Sequence, residues 1–128
     1  MLRDCVMIID DDADLRELIA ASLADLHLSC VEAAGCPEAL PLLDRHRARV
    51  RAVLLDYFMP GPSPVACAKA VLERVDPGVP VVLVSAAVDI GERAAELGLT
   101  RHLAKPFDLA QLRDVVLGAG PDLDGHAV

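Results

Sequence analysis

The stretch CVMIIDDDADLREL, residues 5–18, decides the architecture of this chain. Residues 4–9 are predicted to form a strand, because after the leading acid they make an apolar run typical of strands buried in a parallel sheet. The residues that follow show a helical pattern. Asp12 or Asp14 is expected at the N-terminus of this helix, where an acidic side chain is favourable. One apolar stripe of this helix is expected to face the core and consists of Leu15, Leu18, Ile19, Leu23 and Leu26. The stretch therefore predicts a β-α unit with acidic residues at the join.

The same order of strand and helix recurs four more times. The later predicted strands cover residues 28–34, 51–56, 81–86 and 101–105. The later predicted helices cover residues 37–48, 65–75, 88–97 and 108–117. Pro41 is expected to kink or shorten the second helix, and residues 59–64 are expected to form a loop that cannot be helical. Five β-α units in a row predict an α/β fold, with a parallel sheet covered by helices on both faces.

Size and composition favour one globular domain with an aliphatic core. The chain has 128 residues, of which 54% are hydrophobic and only 2% aromatic. The predicted domain covers residues 1–119, and residues 120–128, which contain Gly and Pro, are expected to form a flexible tail. The net charge of −8 argues against direct binding of nucleic acid, which needs clustered Lys and Arg. No apolar run approaches the roughly 20 residues that would span a membrane.

The cysteine pattern indicates thiols that serve packing. Cys5, Cys30, Cys36 and Cys67 form no CxxC motif and match no zinc-ligand spacing. The N-terminal segment has no apolar region of the kind found in signal peptides. We therefore expect all four cysteines to be reduced and structural in a cytoplasmic protein.

Polar residues stand at the ends of four predicted strands. The acidic run 10–12 closes the first strand, Asp56 the third, Ser85 the fourth and Lys105 the fifth. The carboxyl ends of parallel strands meet at one edge of an open sheet, where ligands bind. Carboxylates hold hard divalent cations and act as nucleophiles, while a hydroxyl and an ammonium group neutralise phosphoryl oxygens. The pattern therefore predicts a phosphoryl-transfer site.

Four fragments, in this order, carry a resemblance to a known family: IIDDDADLREL, LLDYFMPG, LVSA and LAKPFD. On these fragments the chain resembles a response regulator receiver domain of bacterial two-component signalling, over residues 3–118. Each fragment alone is a weak signal, whereas the set is specific. The resemblance implies the flavodoxin-like fold, a doubly wound (βα)5 arrangement around a five-stranded parallel sheet.

The resemblance implies a metal-dependent phosphoacceptor. Asp10 and Asp11 would be the metal pair, and Asp56 would attack a phosphohistidine of a partner to form an acyl phosphate. Mg²⁺ (or Mn²⁺) would be held by Asp11, Asp56 and the backbone carbonyl of Phe58, with Asp10 acting at least partly through water. The cation would also remove the repulsion between neighbouring carboxylates, which otherwise raises their pKa values.

The resemblance also assigns the two remaining polar strand ends. Ser85 would donate a hydrogen bond to the phosphoryl group. Lys105 would pair with phosphoryl oxygens or, before phosphorylation, with Asp56. The Lys105–Pro106 peptide bond is expected to be cis, as in the family. Such a domain catalyses only its own modification, so we do not expect an enzyme.

Three positions depart from the family pattern. An aromatic residue usually lies three positions before the lysine; His102 stands there, and either it swings inward similarly or it faces solvent or a partner. Ser63-Pro64 replaces a typical Asp-Gly, which predicts a stiffer loop. Phe58 would flank the acyl phosphate, and its bulk predicts slower attack by water and a longer phosphoryl lifetime.

The implied partner is a sensor histidine kinase or a histidine phosphotransfer protein. Its contact would lie around the first helix, at the exposed members of the set Leu15, Leu18 and Ile19. A homodimer or an effector would use the surface of the fourth helix, fifth strand and fifth helix. That predicted output surface carries Arg93, Arg101, His102, Gln111 and Arg113.

Two other classes of function stay open at this point. A haloacid-dehalogenase-type phosphatase also uses a strand-end DxD, here Asp10 and Asp12, but Asp14 stands where it needs a hydroxyl residue, and Asp56 would have no role. A pseudo-receiver, an interaction module without phosphorylation, would not need the intact set of polar strand ends. Both a stand-alone regulator and a piece of a larger protein fit the chain.

Overall fold

A five-stranded parallel sheet forms the centre of the computed structural model, which describes residues 2–118. The strands are β1 (Cys5–Ile9), β2 (Ser29–Ala33), β3 (Val50–Asp56), β4 (Val81–Ser85) and β5 (Arg101–Ala104). Their order across the sheet is β2-β1-β3-β4-β5, and every neighbouring pair is parallel. This order reverses direction after β2, as expected for the doubly wound flavodoxin-like fold. The predicted fold class is confirmed.

Five helices connect and cover the strands. They are α1 (Ala13–Ala24), α2 (Cys36–His46), α3 (Pro64–Arg74), α4 (Ile90–Glu96) and α5 (Leu109–Leu117). The prediction for residues 59–64 was wrong at its end, because Pro64 is the first residue of α3. A proline suits this position, since its missing N–H has no partner in the first turn. Pro41 lies inside α2 on an exposed face and does not end the helix.

The helices lie on both faces of the sheet and divide the core into two layers. One layer packs α2, α3 and α4 against alternate strand residues such as Ile9 and Leu55. The other packs α1 and α5 against the residues between them, such as Ile8 and Leu54. Because both faces are covered, every residue of β1 and β4 is buried.

The apolar stripe of α1 is only partly in the core. Ile19 and Leu23 are fully buried, whereas Leu18 is 62% exposed. Ile19 is therefore not one of the exposed members expected to contact a partner, since its side chain is enclosed under α1. Leu18 remains a candidate for that contact. The apolar stripe covers a wider arc of the helix surface than the sheet and α5 bury, so Leu18 at its outer edge remains in solvent.

The prediction of four reduced cysteines was wrong for two of them. Cys36, the first residue of α2, and Cys67, in the first turns of α3, form a disulfide with a Cα–Cα distance of 5.9 Å. Both side chains are buried where the two helices lie side by side. Cys5 and Cys30 are free thiols, as expected. A contact between residues 31 positions apart depends on helix packing and leaves no short-range motif.

None of the helices in residues 2–118 is both long and apolar enough to cross a membrane. The predicted tail, residues 120–128, lies outside the described residues. The domain boundary predicted at residue 119 therefore stays a prediction.

Candidate functional site

The four polar strand ends meet at the carboxyl edge of the sheet, which we define as the edge formed by the C-terminal ends of the five strands. Asp10 follows β1, Asp56 ends the adjacent β3, Ser85 ends β4 and Lys105 follows β5. Backbone hydrogen bonds continue the sheet there, and the Lys105 N–H donates to the Ser85 carbonyl at 2.9 Å. The hydrogen bonding of the sheet therefore extends to the positions of the polar side chains.

Three carboxylates gather at this edge. One oxygen from each of Asp10, Asp11 and Asp56 lies within 4.8 Å of the other two. Asp10 and Asp56 are buried, at 3% and 6% exposure, and Asp11 faces solvent. Hard divalent cations bind such oxygen sets, and Mg²⁺ also keeps some of its waters. Two buried carboxylates with an exposed third at the rim fit a cation that enters from solvent.

The Asp10 carboxylate accepts a hydrogen bond at each oxygen. The backbone N–H of Asp12 donates to Oδ1 at 2.9 Å, and Lys105 Nζ donates to Oδ2 at 3.1 Å. Asp12 itself caps α1, because its carboxylate accepts from the N–H groups of Asp14 and Leu15. As expected, Asp12 begins the first helix, whereas the Asp10 carboxylate lies at the carboxyl edge of the sheet in contact with Lys105.

The Asp56 carboxyl is a weaker acid than an ordinary aspartate side chain. Burial, together with the negative charge of Asp10, raises its pKa from 3.8 to about 6, although Lys105 acts in the opposite direction. The carboxyl is therefore still mainly ionised at neutral pH. An ionised but poorly solvated carboxylate is a stronger nucleophile than an exposed one, and perturbed groups of this kind are typical of functional sites.

Lys105 joins the two buried carboxylates. Its Nζ lies 3.1 Å from Asp10 Oδ2 and 3.4 Å from Asp56 Oδ1. Burial alone would lower the pKa of Lys105, but the contacts with Asp10 and Asp56 outweigh it and raise the pKa. The ammonium group therefore remains charged at physiological pH. The cis Lys105–Pro106 peptide bond is confirmed.

Ser85 presents a buried hydroxyl at the end of β4. The side chain is 1% exposed, and its oxygen accepts a hydrogen bond from the Ala87 N–H at 3.1 Å. Within residues 2–118 the hydroxyl proton is donated to no acceptor. A phosphoryl oxygen on this edge would supply one.

The loop after β3 explains one departure from the family pattern. Ser63 caps α3, because its hydroxyl accepts from the Ala66 N–H at 3.1 Å, and Pro64 begins the helix. Ser63-Pro64 is therefore a helix start. Gly61, with a φ of 110°, supplies the left-handed conformation that lets the loop turn between Pro60 and this cap.

The two residues after Asp56 are aromatic and lie against α4. The rings of Tyr57 and Phe58 are in edge-to-face contact, with centroids 4.9 Å apart. The Arg93 guanidinium lies over both rings. Sequence reasoning missed this cluster. The only signal was the i, i+4 spacing of Asp89 and Arg93, which form an ion pair at 2.8 Å.

The predicted output surface needs one correction. Arg101 is 7% exposed and buried on the α5 side of β5, so it was wrong as a surface residue. His102, which alternates with it along the strand, is exposed and lies beside Gly91 of α4. The imidazole thus faces outward in this structure, on the surface that α4 and β5 share.

The chain is similar in sequence to proteins of one known family. A family model, described as response regulator receiver domain, matches residues 6–117. The sporulation initiation phosphotransferase F of Bacillus subtilis is 29% identical over 118 residues, which cover 91% of this chain and 93% of that protein. The phosphate regulon transcriptional regulatory protein PhoB of Pseudomonas aeruginosa is 27% identical over 94% of this chain. The chain spans about half, 55%, of that longer relative.

A solved structure supports the fold. The chemotaxis protein CheY4 of Vibrio cholerae superposes with a TM-score of 0.76 at 23% identity, covering 88% of this chain and 95% of that one. At this identity the likeness concerns the fold alone. The family match, by contrast, includes every polar strand end of the site. The chain belongs to the response regulator receiver domain family.

Proposed function

We propose that Asp56 accepts a phosphoryl group in a Mg²⁺-dependent reaction and that the chain is the receiver of a two-component signalling system. The main support for this proposal is the arrangement of three carboxylates: one oxygen each of Asp10, Asp11 and Asp56 lies within 4.8 Å of the others. The Lys105 ammonium also contacts the two buried carboxylates. We take residues 1–119 as the receiver unit.

The proposed donor is a phosphohistidine of a sensor histidine kinase or of a histidine phosphotransfer protein. An Asp56 oxygen attacks phosphorus, the P–N bond breaks, and its electron pair stays on the imidazole, which then takes a proton from solvent. The product is an acyl phosphate on Asp56. Because the pKa of Asp56 is about 6, the attacking carboxylate is available at neutral pH without a general base.

Lys105 and Ser85 neutralise the phosphoryl oxygens in this proposal. The Lys105 ammonium already contacts Asp56, so a phosphoryl group built on that carboxylate stays within its reach. The Ser85 proton is free to turn toward the same group. Fixed donors of this kind typically contribute 10²- to 10³-fold to a phosphoryl or acyl transfer rate.

Asp10, Asp11, Asp56 and the carbonyl of Phe58 would hold the divalent cation, Mg²⁺ or Mn²⁺. When bound, the cation would supply positive charge to the carboxylates and to the phosphoryl oxygens. The donor set fits a hard cation, because it consists of oxygen ligands only, and two of the carboxylates are buried beside each other.

The proposed readout is a shift of the surface formed by α4, β5 and α5, through which a homodimer or an effector would bind. Leu18, 62% exposed on α1, is the proposed contact for the phosphodonor protein. In keeping with the family, we place this exchange in the cytoplasm. Phe58 is the second residue after Asp56, and its bulk is the proposed barrier to water at the acyl phosphate.

The test is intact-mass measurement after incubation with acetyl phosphate and Mg²⁺. We expect one added phosphoryl group on the wild-type chain, none without Mg²⁺ and none on Asp56→Asn. Asp12→Asn, which alters the helix cap beside the site, is the matched control and should still be modified. A folded wild-type chain that takes no phosphoryl group would instead favour the pseudo-receiver. Continuous hydrolysis of the donor that persists in Asp56→Asn and stops in Asp10→Asn would favour a phosphatase.

A further inference from the structure

An aromatic-cation cluster connects the candidate phosphoacceptor to α4. It consists of Tyr57, Phe58, Asp89 and Arg93. The Arg93 guanidinium carbon lies 4.8 Å from the centroid of the Tyr57 ring and 5.8 Å from that of the Phe58 ring. Both distances are within the range of about 6 Å in which a cation is attracted to a ring face. The Asp89 carboxylate accepts from Arg93 Nε at 2.8 Å and fixes the guanidinium from its other side.

The cluster supports a segment whose backbone makes few other contacts, one of them a hydrogen bond from the Phe58 N–H to the Asp56 carboxylate. The Tyr57 N–H donates to the Val84 carbonyl at 3.4 Å, a long bond, and the chain then leaves the sheet. Phe58 is 57% exposed, so burial alone does not fix its position. Tyr57, in contrast, packs against the core layer under α3 and α4. Arg93 spans the two rings and thereby connects the exposed residue to the packed one.

The backbone of this segment matters because the Phe58 carbonyl is the proposed fourth ligand of the cation. Groups one step removed from a metal ligand typically change metal affinity 10- to 100-fold when they are removed, because they orient the ligand. Arg93 acts on the ring of Phe58 rather than on its carbonyl, which places the expected effect at the lower end of that range.

We propose that Arg93 is a positioning residue for the Asp56 site: its guanidinium clamps Tyr57 and Phe58, orients the Phe58 carbonyl toward the cation, and ties this loop to α4. The proposal rests on the proposed function for the identity of the cation. It also gives α4 a direct mechanical connection to the phosphoacceptor, separate from Ser85 and from the outward-facing His102. Occupation of the site would then change the packing of Arg93 on the rings.

The chain carries a built-in reporter of this cluster, since Tyr57 is its single tyrosine and it has no tryptophan. We would measure acrylamide quenching of Tyr57 fluorescence in the metal-free protein, and Mg²⁺ affinity by calorimetry. Arg93→Ala should increase the quenching constant about twofold and weaken Mg²⁺ binding about tenfold. Arg93→Lys keeps a cation over the rings and should recover part of both losses. Arg45→Ala, at an exposed arginine of α2, is the matched control and should change neither.

Phosphorylation of the wild-type chain, measured in parallel, separates the two proposals. If wild type binds Mg²⁺ and accepts a phosphoryl group, but Arg93→Ala binds Mg²⁺ within twofold of wild type, the positioning role is overturned and the proposed function stands. If Arg93→Ala and Arg93→Lys are equally impaired, the clamp by a cation is overturned as well. If wild type itself binds no Mg²⁺ and takes no phosphoryl group, the proposed function fails, and the positioning role fails with it.

Discussion

The two ends of the sheet handle carboxylates in opposite ways. At the amino edge, formed by the N-terminal ends of the strands, Asp76 accepts from Arg3 and Arg47, and Asp4 pairs with Arg49. Hydrogen bonds from Arg3 and Arg47 lower the pKa of Asp76. At the carboxyl edge, burial and a neighbouring carboxylate raise the pKa of Asp56 to about 6.

The difference lies in compensation of charge. Asp4 and Asp76 at the amino edge each pair with at least one arginine, so their negative charges are compensated. The paired side chains are also partly exposed to solvent. At the carboxyl edge, within residues 2–118, Lys105 is the single cation paired with Asp10 and Asp56, and Asp11 stands beside them. An excess of buried negative charge is unfavourable in a structural site and useful in one that binds a cation. The comparison thus separates a charge-compensated cluster from a candidate cation site.

The largest effect is expected from reducing the disulfide, which tests what stabilises the folded geometry of the carboxyl edge. The Cys36–Cys67 disulfide links the first turns of α2 and α3 across a separation of 31 residues. Reduction should lower the free energy of unfolding by about 3 to 4 kcal/mol, mainly because the unfolded chain regains conformational freedom. Urea unfolding with and without dithiothreitol measures this. The double variant Cys36→Ser/Cys67→Ser is the control and should not respond to the reductant. Equal stability of wild type under both conditions would contradict the bond.

The next largest effect is expected when the positive charge of Lys105 is removed from the carboxyl edge. Lys105→Met removes the cation between Asp10 and Asp56 and should lower the unfolding free energy by about 3 kcal/mol near neutral pH, because two buried carboxylates lose their partner. This is the low end for a buried pair, since the Lys105 side chain is 24% exposed. Saturating Mg²⁺ should restore most of the loss. Thermal unfolding with a Mg²⁺ titration measures both. A variant as stable as wild type in metal-free buffer would mean that the carboxylates are adequately solvated.

A gain in stability is expected from Asp56→Asn. The folded pKa of about 6 lies above the ordinary aspartate pKa of 3.8, so the folded state binds the Asp56 proton more tightly than the unfolded state does. The stabilisation that the Asp56 carboxyl contributes is fully present below pH 3.8, and it is lost as the pH rises through about 6. The asparagine cannot ionise and should therefore be more stable than wild type by up to about 3 kcal/mol at neutral pH, the free energy that corresponds to a pKa raised from 3.8 to about 6.

The pH dependence makes this prediction specific. The gain should disappear below pH 3.8, where the aspartic acid is protonated in both states, and should shrink when Mg²⁺ is bound to wild type. Urea unfolding of both proteins across this range is the measurement. A gain that is independent of pH would point to packing rather than to charge.

The smallest effect is expected at the amino edge. Arg47→Met, matched in kind to Lys105→Met, removes one of the two arginines on Asp76, and Arg3 remains. Exposed ion pairs contribute little, so the variant should unfold almost as wild type does and should respond weakly to salt. A loss as large as that of Lys105→Met would erase the distinction between the two edges.

Much of the fold could be predicted from the sequence, because its elements are local. The apolar run of β1, the cap at Asp12 and the capping box of Asp108 with Gln111 each act within a few residues. The positions of the site residues followed too, since parallel strands bring their carboxyl ends to one edge whatever the details of the core.

The features that could not be predicted depend on contacts between distant elements. Cys36 and Cys67 meet only because α2 and α3 pack together, and the sequence carries no motif for this. Arg101 alternates with His102, and which of the two turns inward depends on the cover that α5 provides. Likewise, Arg93 reaches Tyr57 only after the loop beyond β3 has taken its path.

The central claim is that Asp56, among the acids of the carboxyl edge, is the one that carries the phosphoryl group. Borohydride reduction tests it directly, because hydride converts an aspartyl phosphate to homoserine and releases phosphate. The wild-type chain would be treated with acetyl phosphate and Mg²⁺, reduced, digested and sequenced by mass spectrometry. We predict homoserine at position 56 and aspartate at positions 10, 11 and 12. Homoserine at any of those three positions with Asp56 unchanged, or none anywhere, would contradict the account.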